Sequence, residues 1–357
     1  MRRACKITLK FATAKKRRHI RALLQAYRAA VNFYIRSLWN IPGGLDRTTL
    51  SRLRRTRLSE RYKSQALKQA INIVVSTRKA AKKLGKTVAL PRFHGAAVLD
   101  SKFVRIEEGK KSFDLIIRLS GLHKGHRLII PTKRTAVLNK WMNKPGAKLI
   151  QGCALKENEI ILWVELPDEP IREHGEIIGI DIGVNKLLMD SKGNQYGGSF
   201  KKIRDKIIRR VPGSKGRKRA YAERRNYIEQ VLNSLPWDRL KVIGVENLKN
   251  LKRGKKKNRG KRFRRAVAPW IYRYVLRRLE DKAQENRVHL VFVSPAYTSQ
   301  ICPKCGKADE NNRRGENFLC SRCGHTADAD YIGAQNILDR TVRLLGSVES
   351  PRLKKAI

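Results

Sequence analysis

The chain holds 357 residues, too many for one ordinary domain, and 41% of them are hydrophobic, enough to fill cores and to exclude wholesale disorder. Lys and Arg number 81 against 30 Asp and Glu, a formal net charge of +51. So few acids leave no surface of balanced sign, and the expected partner is a polyanion, nucleic acid above all.

In chain order, residues 1 to 10 read as a strand, with Cys5, Ile7 and Leu9 alternating with polar neighbours. A helix follows: Tyr27, Val31, Tyr34, Ile35 and Leu38 share one face of a 3.6-residue period, and Pro42, Gly43 and Gly44 end it. A second helix carries Leu67, Ile71, Val74 and Val75 on its apolar face and stops at Gly85. From residue 88 to 166 the texture changes to short β-like runs (103–106, 113–119, 127–130, 148–155 and 159–166), which suggests a small barrel or sandwich. Pro167-Asp168-Glu169-Pro170 reads as a linker. Beyond it the chain alternates strand 177–182, strand 187–189, one basic helical stretch 201–235, strand 242–245, helix 270–286, strand 288–293, a cysteine cluster and a last helix 331–345. That order predicts an α/β domain around a central sheet.

Two of those strands end in acids. Asp181 lies in Ile177-Ile-Gly-Ile-Asp-Ile-Gly-Val-Asn185, and Val242-Ile-Gly-Val-Glu-Asn247 repeats the arrangement with Glu246. A carboxylate in an apolar strand must be paired, protonated or metal-bound. A third acidic motif, Asp328-Ala329-Asp330, opens the last helix. Any one of the three has a plain reading as an ion-paired or capping acid. Together, beside so basic a chain, they predict a rim of hard oxygen ligands for Mg²⁺ and phosphodiester hydrolysis. The competing use of Gly-x-Asp-x-Gly, phosphate binding in an actin-like ATPase, leaves the basic runs and the cysteines without a purpose.

Cys302-Pro-Lys-Cys305 and Cys320-Ser-Arg-Cys323 form two C-x-x-C knuckles, each followed by glycine. Four thiolates complete a tetrahedral Zn²⁺ site with no open position, so the expected role is structural. Cys5 and Cys153 read as buried hydrophobes. His325 lies close by in sequence, but the cysteines already complete the set. Residues 249–265 hold 11 Lys or Arg and no acid, and residues 201–225 hold 12 against Asp205 and Glu223. The plain reading is a solvated loop. Because the runs flank the acidic strands, the candidates for holding a nucleic-acid backbone are Lys249, Lys252, Arg253, Lys255, Lys256 and Lys257, with Arg217, Lys218 and Arg219.

These motifs resemble the TnpB family, RNA-guided DNA endonucleases of insertion sequences akin to small type V CRISPR effectors. The resemblance is carried by Gly179-Ile-Asp-Ile-Gly-Val-Asn185, Val245-Glu-Asn-Leu-Lys249, Ala296-Tyr-Thr-Ser-Gln-Ile-Cys-Pro-Lys-Cys-Gly306, Cys320-Ser-Arg-Cys-Gly324, Asp328-Ala-Asp330 and Ala334-Gln-Asn-Ile337. It implies a multi-domain α/β protein: an RNase H-like (RuvC) nuclease domain with an inserted zinc ribbon, preceded by a β-barrel wedge domain carrying a helical recognition insertion. The implied boundaries are 1–10 with 86–170 for the wedge, 11–85 for the recognition lobe, 171–297 with 327–357 for the nuclease, and 298–326 for the ribbon. It further implies Asp181, Glu246 and Asp330 as the catalytic, Mg²⁺-holding triad, with Asp328 as the alternative third acid. Cys302, Cys305, Cys320 and Cys323 would hold structural Zn²⁺. The partners would be a guide RNA and a target DNA cut beside a short protein-read motif, in a cytoplasmic, nucleoid-associated protein of prokaryotic type. The third motif departs from the family: it reads Asp-Ala-Asp-Tyr-Ile-Gly-Ala where Asp-x-Asp-x-Asn-Ala-Ala is more usual, so Ile332 fills a polar slot. A guided DNA-binding protein that does not cut is the rival reading.

Overall fold

The computed structural model, which describes residues 1–41, 58–85, 87–110, 112–122, 125–183, 185–247 and 270–349, divides into two units, Met1–Asp168 and Glu169–Ile357. Among the described residues no helix is long and apolar enough to cross a membrane.

The first unit runs β1 (Arg2–Thr8), α1 (Ala14–Trp39), α2 (Glu60–Leu84), β2 (Ala97–Leu99), β3 (Val104–Glu108), β4 (Leu115–Ser120), β5 (Arg127–Thr132), α3 (Ala136–Met142), β6 (Lys148–Leu149), β7 (Cys153–Leu155) and β8 (Glu159–Glu165). The alternation in β1 is met by the alternation in β8: Cys5 lies opposite Leu162 and Ile7 opposite Ile160, all buried. The strands form two separate antiparallel sheets, β1-β8-β7-β2 with β6 beside β8, and β3-β4-β5. The expected barrel is therefore not closed among the described residues. The two long helices pack on each other. Thr13 caps α1 at the Lys16 amide, and Gly85 ends α2 in the left-handed conformation, φ 58°.

The buried face of α2 is not the one the bulkiest residues suggest. It is Tyr62, Ala66, Ala70 and Val74, whereas Leu67 and Ile71 are half-buried and Val75 faces solvent. Two alanines on one face, Ala66 and Ala70, let the helices approach closely, so small size and not bulk marks the buried side. Two further differences have local causes. Helix α3 starts where Thr135 caps the Leu138 amide. The run 148–155 is broken at Gly152, where a Cβ would come within 3.0 Å of the Leu99 carbonyl oxygen.

The second unit runs β9 (Glu176–Ile182), β10 (Leu188–Asp190), β11 (Gln195–Tyr196), α4 (Phe200–Arg209), α5 (Lys215–Asn233), β12 (Leu240–Glu246), α6 (Trp270–Glu285), β13 (His289–Val293), β14 (Arg313–Arg314), β15 (Asn317–Leu319), β16 (Thr326–Asp328) and α7 (Ala329–Glu349). The single basic helix expected over 201–235 is two: Pro212 removes a helical donor, Gly213 turns the chain at φ 85°, and Ser214 caps α5 at the Arg217 amide. Its main sheet is ordered β11-β10-β9-β12-β13, with β9, β10 and β11 antiparallel and β12 and β13 parallel to β9. One face, including Ile178, Ile180, Ile243 and Val245, packs on Ile228, Leu232, Val275 and Leu279 of α5 and α6.

Helix α7 covers the opposite face, and glycine makes that possible. Gly179 of β9 lies directly beside Gly244 of β12. A Cβ at Gly179 would sit 2.2 Å from the Ala334 carbonyl oxygen and 2.5 Å from the Leu338 amide, while one at Gly244 would sit 1.9 Å from Thr341 Oγ1. The paired glycines cut a furrow, and the backbone of α7 lies in it.

The two positions should differ when filled. Gly179→Ala collides with helix backbone and should cost about 3 kcal/mol or more. Gly244→Ala meets a side chain, so the double variant Gly244→Ala/Thr341→Ala should recover much of the loss. Thermal unfolding of the three variants checks this; equal melting of Gly179→Ala and the parent would refute close packing in the furrow.

Candidate active site and metal centre

Strands β9 and β12 run in parallel with Ile180 opposite Val245, and an acid follows each. Asp181 and Glu246 therefore stand abreast at the ends of neighbouring strands, each two residues beyond its furrow glycine and so on the same face as α7. The N-terminus of α7 arrives at that point. Gly333 lies so close that a Cβ there would be 3.2 Å from Asp181 Oδ2, and one at Gly183 would be 3.5 Å from Asp330 Oδ2. Asp181, Glu246 and Asp330, far apart in sequence, thus share one rim of the sheet.

Electrostatics tie the three together. Asp181 keeps partial access to solvent but lies deep in the unit. Burial, then the charges of Glu246 and Asp330, push its pKa up to about 8, against the pull of Arg313 and the Ile182 amide. Burial also raises Glu246, although Thr298 Oγ1 donates a hydrogen bond to its Oε1. Burial raises Asp330, opposed by Arg313, whose Nη2 donates to Asp330 Oδ1 at 3.0 Å. Asp328 is used differently. Its Oδ1 accepts from the amides of Asp330 (2.9 Å) and Tyr331 (3.3 Å), capping α7, and its Oδ2 accepts from Lys186 Nζ. Burial works against its charge, but Lys186 and those amides hold it below the usual carboxylate range.

Three neighbours of the acids carried no role in the sequence reading. Thr298 grips Glu246 and is itself fixed, since Asn336 of α7 donates to the carbonyls of Thr298 (2.7 Å) and Ile301 (2.8 Å). Tyr272, on α6, has its phenol pushed up to about 12 by burial and then by the charges of Asp181, Glu246 and Asp330. Arg313 comes from β14, beside the cysteine cluster. Thr298 lay within a quoted motif, but nothing local distinguishes Arg313 from the other cations.

The four cysteines converge. Their sulfurs all lie within 4.8 Å of one another, with Cys302–Cys323 at 3.7 Å and Cys305–Cys320 at 3.5 Å. A tetrahedral Zn–S₄ centre with ~2.3 Å bonds needs sulfur separations of about 3.8 Å, so the cluster could bind zinc. The Cys323 and Arg322 amides hold the Cys320 thiol below the ordinary thiol range, whereas Cys323, despite the His325 amide, is held above it by burial and the neighbouring sulfurs. His325 is not in this set. Ile332, in the slot where the family more often has Asn, is fully buried with Cys302, Phe318 and Cys320 and floors the ribbon.

Of the basic candidates, Arg217, Lys218 and Arg219 lie in the first turns of α5. Lys218 and Arg219 are exposed, while Arg217 donates to the Tyr221 hydroxyl and the Arg210 carbonyl. Lys249, Lys252, Arg253, Lys255, Lys256 and Lys257 lie outside the described residues.

The clustered acids should weaken the fold. A carboxyl at about 8 when folded and 3.8 when free means the native state holds more protons, so its contribution to stability falls as pH rises from about 4 to 8. In EDTA at pH 7, Asp181→Asn should therefore be more stable than the parent by on the order of 2 kcal/mol, with the gap closing toward pH 4. Urea titrations at several pH values measure it; a pH-independent gap would contradict the electrostatic account.

Comparison with known proteins follows the same segments. The family model for the Cas12f1-like TNB domain matches residues 272–337, which contain all four cysteines and Asp330. The CRISPR-associated endodeoxyribonuclease Cas12f1 of Sulfoacidibacillus thermotolerans is 36% identical over 97 residues, 27% of this chain and 21% of that protein. TnpB-like protein MJ0751 of Methanocaldococcus jannaschii is 24% identical over 255 residues, 63% of this chain and 88% of that protein. A protein of Escherichia coli with the provisional name RNA-guided DNA endonuclease InsQ is 27% identical over 201 residues, 47% of this chain and 50% of that protein. The match thus spans about a fifth of the Cas12f1 and half of the E. coli protein, but most of the archaeal one. Motifs, their order and the relatives agree: over these segments the chain is similar to TnpB-like proteins and to Cas12f1.

Proposed function

We propose that the protein is an RNA-guided DNA endonuclease, associated with a transposable element, that hydrolyses phosphodiester bonds at the rim holding Asp181, Glu246 and Asp330. The observation that supports it is that Asp181 lies at the end of the sheet within the fields of both Glu246 and Asp330, which raise its proton affinity. A β9-β10-β11 meander with β12 and β13 parallel to β9 supports an RNase H-like, RuvC-type domain.

Buried carboxylates in one another's fields are unfavourable unless cations balance them, and an all-oxygen donor set suits Mg²⁺. Bound there, Mg²⁺ would activate a water and stabilise the leaving oxygen. The chain's own part is positioning. Thr298 fixes one oxygen of Glu246, and Asp181 is held in place by sheet register and by Gly333. Arg313 balances Asp330 before any cation arrives and offers a donor to a phosphate oxygen afterwards.

In this reading the first unit supplies a wedge domain (1–10 and 86–170) and a helical recognition lobe (11–85) for guide RNA and a short motif beside the target. The second supplies the nuclease (171–297 and 327–357) and the ribbon (298–326). Guide pairing reads sequence, while Arg217, Lys218, Arg219 and the lysine-rich run from Lys249 hold backbone.

RNA co-purifying after a high-salt wash should be one defined species, since nonspecific phosphate contacts are lost steeply with salt. With that guide, the ribonucleoprotein should cut linear matching DNA only when Mg²⁺ is present. Asp181→Ala should lower cutting on the order of a thousandfold or more while retaining the RNA. Undiminished cutting by that variant would remove Asp181 from the active site; guided binding with no cutting by the parent would favour the non-cleaving rival.

A further inference from the structure

Two described residues other than glycine have positive φ, Arg287 and Tyr297, both at 61°. Arg287 ends α6, an ordinary place for a left-handed residue. Tyr297 is different. It lies in the loop after β13 and is 64% exposed. Left-handed backbone disfavours a residue with a Cβ by about 1–2 kcal/mol, and it persists only where the surroundings impose it.

Here they do. Arg340 of α7 donates to the carbonyls of Ser294 (2.6 Å) and Ala296 (2.7 Å), Asn336 donates to that of Thr298 (2.7 Å), and the Tyr297 carbonyl accepts from the amides of Gln300 (3.0 Å) and Ile301 (3.1 Å). The turn divides two consecutive side chains. Thr298, 3% exposed, goes inward to Glu246, and Tyr297 goes outward. No aromatic ring or cation packs on Tyr297 among the described residues.

We propose that Tyr297 is a stacking platform for a nucleobase of the single DNA strand lying across the acids. The backbone of Tyr297 is fixed by these bonds, its ring lies in solvent one residue from a side chain bound to Glu246, and no ring contact, cation or hydrogen bond among the described residues uses that ring. Its ring gives a flat face to any base, the sequence-tolerant contact needed where a guide and not the protein chooses the sequence. A duplex hides its base faces, so the occupant is an unpaired strand. The proposal rests on the nuclease reading, and its test is chosen to stand apart from it.

The ribonucleoprotein as purified, in EDTA, would be irradiated with a single-stranded oligodeoxynucleotide containing 5-iododeoxyuridine, and the adducts mapped by peptide mass spectrometry. An adduct on the Tyr297 peptide, kept in Tyr297→Phe and lost in Tyr297→Gly, is expected; adducts only elsewhere overturn the proposal. Because no cutting is required, this result is independent of whether the protein is a nuclease. In the cleavage assay, Tyr297→Gly should raise KM about tenfold with kcat less affected, while melting no lower than the parent because glycine accepts this backbone. Tyr297→Trp should restore KM. A glycine variant that cuts like the parent, or one that fails only because it melts lower, overturns the stacking role.

Discussion

The close approach of α7 to the central sheet is the constraint from which the site follows. Two strands carry the same pattern, glycine then an acid two residues on, and they pair in the register that sets glycine beside glycine. The furrow sets the depth of the helix, and the helix sets where its first turn ends. The start of α7 comes in beside Asp181 because nothing larger than hydrogen separates the sheet from the backbone of Ala334 and Leu338. A single steric fact thus serves both the fold and the gathering of charge.

The electrostatic cost of that gathering is met by the surrounding chain. Arg313 balances Asp330, Thr298 and Arg340 moderate Glu246, and Lys186 with the α7 amides holds Asp328 ionised. Asp328 and Asp330 show how two acids in one turn diverge. The first turns back to cap the helix and meet a lysine; the second faces the other acids. Their separation follows from the helix boundary: Asp328 is the last residue of β16 and caps the helix from outside, whereas Asp330 lies in its first turn.

Much of the second unit was legible in the sequence because its signals are local. The apolar strands ending in Asp181 and Glu246, and the paired C-x-x-C knuckles, each declare themselves within a few residues. What was not legible depends on distant partners. The face of α2 is decided by how closely α1 approaches, which favours Ala66 and Ala70 over larger neighbours. The break between α4 and α5 was marked by Pro212 and Gly213, and the strength of the basic helical pattern obscured it. Arg313 and Tyr272 acquire meaning only when strands and helices remote in sequence bring them to the acids. The open sheets of the first unit show the same limit: strand runs reveal that strands exist, not whether their edges join.

The burial of Ile332 beneath the cysteine hairpin has a consequence for modularity. The floor of the ribbon, Ile332 with Ala329, is contributed by α7, the same helix that carries Asp330, so the hairpin borrows its hydrophobic base from the helix that covers the main sheet. A ribbon transplanted from a relative with asparagine at that position would rest on a mismatched seat. Ribbon and helix should therefore be exchanged in evolution as one cassette, not as separable parts.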